Sequence, residues 1–465
     1  MKQTGSRTRK PGERVTRRRA LGTGAGGALA AAALAACGPA GGPAGGAPAA
    51  RSKGPVTIEV VTRAGVASPS GHSQFYDKQA RNLFTPETNI TVTFIDAQPH
   101  VGEKLTVMAA GGTLPDAAWF GVVADGNAGR EQATKGIFKP LDDLIKKDAK
   151  FDKAPYLKAL LDVFTIGGKL YALPTHGHYG TNVLYYNANL TKAAGVTVPA
   201  DGNWSVDDFI VAAQKLVKKE QDIWGYVSPW GFSEFGVFYV RQFGGEYLDE
   251  AGKRVLLDSA EARAGLEWIY NAQAKHATID KHYRDDNKAS NVLFNEGKLG
   301  FLNWTPGFVA EWKNPGPAQI SPANGKFELG IAMFPKGPNG RRGTQASGSG
   351  MGLTGAKNVE ASWEWLKFVT NKMNGVEQVF GGAGSPGGRI DVWQDAKLLS
   401  FDPIYTTIVR AFPQGAGSLR YSANFHYADL TTAVNKELEA YFRNQTGLAD
   451  ATSKAVQAGN AILNQ

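Results

Sequence analysis

The sequence contains very little cysteine, with one residue, Cys37, among 465. A single thiol permits no internal disulfide, no Cys-x-x-Cys redox pair and no cysteine-based metal cluster. Disulfides therefore give no information about the compartment, which has to be inferred from the N-terminal segment.

Common enzyme signatures are also missing. The chain has no G-x-S-x-G, no H-E-x-x-H and no G-x-x-x-x-G-K-[ST], which mark a nucleophile elbow, a zinc peptidase helix and a phosphate loop. A carboxylate pair for glycoside hydrolysis has no sequence signature, and Asp and Glu are plentiful. A secreted carbohydrate-active hydrolase therefore stays open as an alternative.

The net positive charge is small outside the N-terminus, although the formal net charge of the whole chain is +9. Eight basic residues and one acidic residue precede Cys37, which leaves a net charge of about +2 for the rest of the chain. A surface that binds polyanions is not indicated, and we expect no nucleic-acid partner.

A long, strongly apolar run is absent as well. Residues 16–38 read "TRRRALGTGAGGALAAAALAACG", and the run between the arginines and Cys37 is mostly Ala and Gly. A membrane span needs about 20 strongly apolar residues. A dinucleotide loop would need a preceding strand, where "TRRRAL" stands instead. A basic start, a weakly apolar middle and small residues at the end are typical of a secretion signal.

Two motifs refine this interpretation. Residues 16–21 resemble a twin-arginine export signal, with Ala20 where Phe is commoner, and residues 34–37 resemble the bacterial lipobox. The resemblance implies that residues 1–37 form a lipoprotein signal and that Cys37 is lipidated as the mature N-terminus. Residues 38–55, rich in Gly, Pro and Ala, then form a tether to the membrane. The expected location is extracytoplasmic, on the periplasmic or cell-surface side, and the export route stays open.

The rest of the chain indicates an α/β protein with two lobes, because 465 residues are too many for one ordinary core. "VTIEVVT" (56–62), "ITVTFID" (90–96) and "DAAWFGV" (116–122) read as strands that alternate with helices, which predicts a parallel sheet. The clearest helix follows Ser205, where Asp208 completes a capping box and Trp204 can pack on Phe209. Further helices are predicted at 259–275, 358–373, 430–444 and 449–464.

Five blocks in order resemble the type-1 extracellular solute-binding proteins of ABC importers, especially the carbohydrate branch that includes maltose-binding protein. They cover about 400 residues. The blocks are "GGTLPDAAWF", "GGKLYALPTHGHYGTNVLYYNANLTKAAGV", "NWSVDDFIVAAQKL", "FNEGKLGFLNWTPGF" and "GSGMGLTGAKNVEASWEWLKFVT".

The resemblance implies a two-lobe periplasmic-binding-protein type II fold, in which each lobe is a mixed, mostly parallel sheet flanked by helices. A hinge of several segments joins the lobes. We expect lobe I at 56–173 and 303–350, and lobe II at 174–302 and 351–465. Such a protein catalyses nothing and needs no cofactor. As a monomer, it binds a solute between its lobes and delivers it to permease subunits served by a separate ATPase. A sugar or oligosaccharide is the expected ligand; a polyol phosphate, polyamine or peptide is the alternative.

Aromatic residues in loops are the first candidates for sugar contact, because rings stack on sugars and polar groups satisfy their hydroxyls. Trp230 with nearby Glu234 lies in "VSPWGFSEFG", and Trp304 lies in "NWTPG". Phe425 and Tyr427 lie in "SANFHYAD". The alternative for each aromatic residue is a core or surface position. Tryptophans at helical spacing, in "WEWLKF" and "LEWIY", and Trp119 in its strand are predicted to be core.

Polar candidates lie in the expected crossing segments and loops. His176 and Tyr179 belong to the first crossing, Ser347 and Ser349 to the third, and Asp125 follows the third strand. His176 and His178 have a spacing that could hold a metal on a strand, but no Cys or close carboxylate completes a site, so no metal is expected. Arg389 could clamp a carboxylate or a hydroxyl pair, with a solvated arginine as the alternative.

Overall fold

The computed structural model of the chain describes residues 55–63, 71–97, 100–122, 128–228, 234–276, 278–279, 289–310, 326–355, 357–381, 385–412, 420–421, 424 and 426–465. Residues Lys53–Gln465 form one compact unit. The signal with Cys37, nearly all of the tether, and the candidates Asp125, Trp230 and Phe425 lie outside the described residues.

The strands of the described residues are β1 (Val56–Thr62), β2 (Ile90–Asp96), β3 (Ala117–Gly121), β4 (Thr165–Ile166), β5 (Lys169–Leu170), β6 (Ala172–Thr181), β7 (Val183–Asn187), β8 (Trp224–Tyr226), β9 (Leu299–Trp304), β10 (Leu329–Met333) and β11 (Thr344–Leu353).

The helices in the first half are α1 (Gly71–Gln79), α2 (Thr85–Thr88), α3 (Val101–Ala110), α4 (Ala128–Thr134), α5 (Asp142–Lys147), α6 (Lys158–Val163), α7 (Ala188–Ala193), α8 (Val206–Lys215) and α9 (Glu234–Gln242). Those in the second half are α10 (Ala260–Gln273), α11 (Ala289–Asn295), α12 (Val359–Val369), α13 (Lys372–Phe380), α14 (Ile390–Trp393), α15 (Ala396–Phe401), α16 (Pro403–Ala411), α17 (Tyr427–Phe442) and α18 (Leu448–Leu463).

The first sheet has the order β2-β1-β3-β11-β6. Strands β1, β2 and β3 pair in parallel, as their alternation with helices predicts, whereas β11 is antiparallel to both β3 and β6. The core of this sheet includes Ile58, Val60 and Phe120, which are fully buried. The β-α-β-α-β prediction for the first lobe is confirmed.

The second sheet has the order β10-β7-β9-β8. Only β8 and β9 are parallel among its described strands, and β7 is antiparallel to β9 and β10. Both sheets are therefore mixed, as expected, but antiparallel pairs are more frequent than in the expected mostly parallel arrangement.

The chain passes between the sheets at two neighbouring places. Asn182 alone separates β6 in the first sheet from β7 in the second, and residues 334–343 separate β10 from β11. The two passages are adjacent, because Thr181 at the end of β6 pairs with Thr344 at the start of β11. This connectivity divides the two sheets between two lobes that are joined by more than one chain segment.

Sheet membership differs from the expected lobe boundaries in several elements. β6, expected in lobe II from residue 174, pairs with β11 in the first sheet. β10, expected in lobe I, pairs with β7 in the second sheet. α12, expected in lobe II, packs on the first sheet, where Trp365 contacts Phe84 and Phe94. The structure departs from the expected boundaries because the return passage to the first sheet lies at 334–343, after β10, and the chain stays on that sheet through α12.

The helix start that capping residues predict at Ser205 is confirmed. The Ser205 hydroxyl accepts from the Asp208 backbone N–H, and the Asp208 carboxylate accepts from the Ser205 N–H, a complete capping box for α8. Trp204 packs on Phe209, with ring centroids 5.7 Å apart. The helix predicted over 358–373 ends at Val369 instead, and α13 begins after the Asn371 cap.

The tryptophans predicted to be core are buried. Trp119, Trp268, Trp363 and Trp365 are all less than one tenth exposed. Within the described residues, no helix combines the length and apolarity that crossing a membrane requires.

Candidate ligand-binding site

Candidates from two predicted segments meet in the first sheet. In the antiparallel pair of β6 and β11, His176 stands opposite Ser349, and His178 stands opposite Ser347. Opposed residues share one face of a sheet, so these four positions lie on the same face. Tyr179, opposite Ala346, lies on the other face. The structure describes the backbone of His178 and Tyr179 but not their side chains.

A third segment joins this cluster across the next strand. Ser349 also stands opposite Gly121, the last residue of β3. The loop that contains Asp125 follows β3 along the chain and lies outside the described residues. His176 is half-buried, whereas Ser347 and Ser349 are buried. His176, Ser349 and Gly121 therefore line up across three neighbouring strands.

A buried polar network fixes the backbone under His176. The Gln378 amide Nε2 donates to Thr175 O at 2.9 Å and to Ser385 O at 2.7 Å. The Ser385 hydroxyl donates to the Gly177 carbonyl, and the Thr175 hydroxyl donates to Ser349 O at 3.3 Å. Because these bonds flank His176 on both sides, its backbone position does not depend on a ligand.

Trp304 lies in the second sheet, beside the passage between the lobes. It is the last residue of β9, is half-buried, and pairs with Val183, the residue after Asn182. From His176 to Val183 the chain runs seven residues along β6 and into β7, on the order of 20 Å. The candidate residues of the two sheets therefore lie on, or pair with, one continuous chain segment from His176 to Val183.

β8, the strand before the Trp230 segment, ends at the same edge of the second sheet as Trp304. β8 and β9 are parallel, so their carboxyl ends point the same way. Ser228 is the last described residue before Trp230. Glu234 is the first residue of α9, and its side chain lies outside the described part.

Two other candidates occupy structural positions. The Arg389 guanidinium donates to both carboxylate oxygens of Asp391, at 2.9 and 2.7 Å, and lies over the Tyr156 ring. Asp391, two residues further on, therefore occupies this edge of the guanidinium. Arg389 forms a structural ion pair there instead of the expected ligand clamp. Tyr427 is 6% exposed and packs on Tyr421, so the structure favours the core alternative.

A second buried network, which the sequence analysis did not identify, lies next to Trp304. The Asn303 amide Nδ2 donates to the Tyr239 hydroxyl at 2.7 Å, and that hydroxyl donates to Ser228 Oγ at 2.6 Å. Burial raises the pKa of Tyr239 to about 12, so the hydroxyl stays protonated and able to donate. The sequence does not indicate that Tyr239, a buried residue in an apolar helix, takes part in this network. The one indication that the sequence offers is the position of Asn303 beside Trp304.

Among the residues that the structure describes, no group of three or more His, Cys, Asp or Glu side chains could hold a metal ion. The site is instead built of hydroxyl groups, an imidazole and an indole. Such a set can donate to and accept from a neutral, hydroxyl-rich molecule and can stack on its apolar faces.

Comparison with known proteins matches the chain to one family and to relatives of known name. The family model described as "Bacterial extracellular solute-binding protein" matches residues 68–376. An arabinooligosaccharide-binding protein of Bacillus subtilis is 26% identical over 349 residues, which cover 70% of this chain and 73% of the relative.

Solved structures share the fold. An ABC substrate-binding protein from Listeria monocytogenes in complex with cycloalternan has a TM-score of 0.72 at 19% identity, and the match covers 88% of this chain and 99% of that chain. Maltose-bound MalE3 of T. maritima has a TM-score of 0.69 at 24% identity, covering 88% of this chain and all of that one. The two-lobe architecture inferred from the sheets is thus that of known solute receptors.

Proposed function

Because the chain belongs to the bacterial extracellular solute-binding protein family, an extracytoplasmic family, we propose that it binds a sugar or oligosaccharide between its two lobes. In this proposal it then delivers the ligand to the permease of an ABC importer and catalyses no reaction. The protein acts as a monomer, and a separate ATPase drives the transport.

One observation carries the proposal: an aromatic ring and a set of hydroxyl groups lie on the two sheets that meet at Asn182. Trp304 supplies the ring, while His176 and Ser349 supply polar groups opposite each other in β6 and β11. Ser347 is fully buried. Stacking on an indole contributes apolar area, and a buried sugar hydroxyl left unpaired would cost about 1–3 kcal/mol. Both requirements of a sugar site are therefore met by neighbouring elements.

Further contacts belong to the proposal on sequence grounds. Trp230, Glu234, Asp125, Tyr179 and Phe425 stay candidates because of the loops and the crossing segment in which the sequence places them. The names of the relatives support a sugar ligand, since they refer to arabinooligosaccharide, cycloalternan and maltose.

Anchoring is the second part of the proposal. Residues 1–37 act as a lipoprotein signal, Cys37 carries the lipid, and residues 38–55 form the tether. A coil of about 17 residues spans on the order of 20–25 Å, so the receptor stays close to the membrane that holds the permease. Lobe closure around the ligand by hinge rotation then creates the form that docks on the permease.

The test is a ligand screen on the compact unit Lys53–Gln465. Thermal shift and calorimetry are measured with maltotriose, arabinotriose, spermidine, glycerol 3-phosphate and a tripeptide, and the sugars are re-examined by chromatography afterwards. We expect a sugar to raise the melting temperature and to be recovered intact. Stabilisation by an amine, a phosphate or a peptide alone would contradict the sugar assignment, and steady release of shorter sugars would show a hydrolase.

A further inference from the structure

Trp304 stands where the hydrogen-bond ladder of the second sheet stops. It forms the last pair of β7 and β9, and the chain continues through Thr305 into the short helix Pro306–Phe308. The Trp304 side chain packs, partly buried, against the hydrophobic core of the second sheet, and the residues before and after it help to hold its backbone where the ladder ends.

Asn303, the residue before Trp304, is held by one tyrosine. Its Nδ2 donates to the Tyr239 hydroxyl, whereas its Oδ1 is buried and has no partner in the described part of the chain. The single proton of Tyr239 goes to Ser228, so the hydroxyl of Tyr226, which contacts it, must donate. Among the described residues, the Tyr239 hydroxyl is thus the one side-chain partner of the Asn303 amide.

Thr305, the residue after Trp304, is held by another tyrosine. The Tyr185 hydroxyl on β7 donates to Thr305 O at 3.1 Å. Tyr185 and Tyr239 are both fully buried, so neither side chain has a surface that a ligand could touch.

We infer that Tyr239 and Tyr185 are positioning residues for ligand binding, which hold the Asn303 side chain and the Thr305 carbonyl on either side of Trp304 and so keep the indole ready to stack on a sugar. This inference rests on the proposed function for its consequence, although the two hydrogen bonds stand independently of it. A ring that is fixed before the ligand arrives loses little conformational entropy on binding, which favours affinity.

The first experiment needs no ligand. Tryptophans in Lys53–Gln465 are replaced by 5-fluorotryptophan, and the fluorine resonance of Trp304 is assigned with the variant Trp304→Phe. In Tyr239→Phe and in Tyr185→Phe, each of which removes one hydroxyl and keeps the ring, we expect this resonance to shift or broaden. An unchanged Trp304 resonance in both variants overturns the inference.

Tyr156→Phe is the matched control. Its hydroxyl is also buried and contacts Thr370 Oγ1 at 2.7 Å, but it lies in the core of the first sheet. The control loses a comparable hydrogen bond and should leave the Trp304 resonance in place. An equal change in the control would assign the effect to general loss of stability and overturn the inference.

The second experiment measures the consequence. With maltotriose as the probe, we expect Tyr239→Phe to weaken affinity about 3- to 30-fold, chiefly through faster dissociation, and Tyr156→Phe to stay within about twofold. Unchanged binding in Tyr239→Phe overturns the positioning role. If the wild-type protein binds neither maltotriose nor arabinotriose, the proposed sugar ligand fails, while the resonance experiment still decides whether the tyrosines position Trp304.

Discussion

At the scale of single residues, the tryptophan at the end of β9 is the side chain on which the sugar proposal depends most. Trp304 is half-buried next to Val183, at the passage between the sheets. A stacked indole provides a large rigid contact with few torsions to fix. The binding energy of the receptor should therefore be concentrated there and not spread evenly over its polar neighbours.

We expect Trp304→Ala to abolish most of the sugar-induced rise in melting temperature, because truncation removes the stacking face. Differential scanning fluorimetry with and without the sugar measures this difference. Trp304→Phe keeps an aromatic ring and should retain part of the shift. A full shift in Trp304→Ala would remove this residue from the ligand site.

Asp148 gives a second prediction at this scale. Its carboxylate accepts from Lys367 Nζ at 2.6 Å and from Trp363 Nε1 at 2.9 Å, which joins the end of α5 to α12. The hydrogen bond from Lys367, followed by that from Trp363, lowers the pKa of Asp148 to about 2. Because the folded pKa lies below the unfolded value, this stabilisation is present above about pH 4 and is lost as the pH falls towards 2.

We expect Asp148→Asn to lower the free energy of unfolding by about 1–2 kcal/mol at neutral pH and by little at pH 2. Urea denaturation of both proteins at several pH values measures this difference. Asp162→Asn is the control, since Asp162 pairs with Lys158 on the surface and is 41% exposed. A difference for Asp148→Asn that does not depend on pH would contradict the assignment.

At the scale of elements, α8 illustrates how far local chemistry determines structure. Its start is set by the capping box of Ser205 and Asp208, and Trp204 closes the entry by packing on Phe209. These contacts lie within five residues of one another, so the sequence is sufficient to predict them.

We expect Ser205→Ala to destabilise the protein by about 1 kcal/mol, because the Asp208 N–H loses its acceptor. Ser205→Asn, which can still cap the helix, should retain most of the stability. The midpoint of urea unfolding distinguishes the two variants. Equal midpoints for the wild type and Ser205→Ala would mean that the cap does not contribute.

Elements that depend on distant partners were predicted less well. α12 was predicted as a helix, whereas β10 was not predicted as a strand, and each was expected in the other lobe. Their apolar patterns specify that a face must be buried, not which sheet buries it. That choice depends on where the chain passes back between the lobes, at 334–343.

At the scale of the whole molecule, the proposed function includes an anchor that connects a two-lobe receptor to a membrane. Residues Lys53–Gln465 form one compact unit, and the only cysteine of the sequence precedes it. Burying acyl chains contributes about 0.8 kcal/mol per CH₂ group, and more than one chain is needed for stable anchoring. The proposed anchor is therefore separable from ligand binding.

We expect Cys37→Ser, expressed in a host that processes lipoproteins, to move the protein from the membrane fraction to the soluble extracytoplasmic fraction. Detergent phase partition of the two fractions measures the change, and affinity for the sugar should stay the same. Ala49→Ser, a change within the tether, is the control. Membrane retention of Cys37→Ser would contradict the lipid anchor.

The sequence by itself determined the local parts of this protein. β1, β2, α8 and α18 follow directly from alternation, capping and helical period, because these signals arise between residues a few positions apart. The five blocks in order indicated the family, and with it the two-lobe fold. Trp304 and the residues of the β6 and β11 segments were identified as candidates in the same way.

Only the tertiary structure decided which residues became neighbours. It placed Ser349 between Gly121 and His176, and it buried Tyr427 in the core. It also placed the hydroxyl of Tyr239 beside Asn303, 64 positions away in the chain. The physical reason is that such contacts depend on strand register and on the passages between the lobes, which no short-range pattern of side chains specifies.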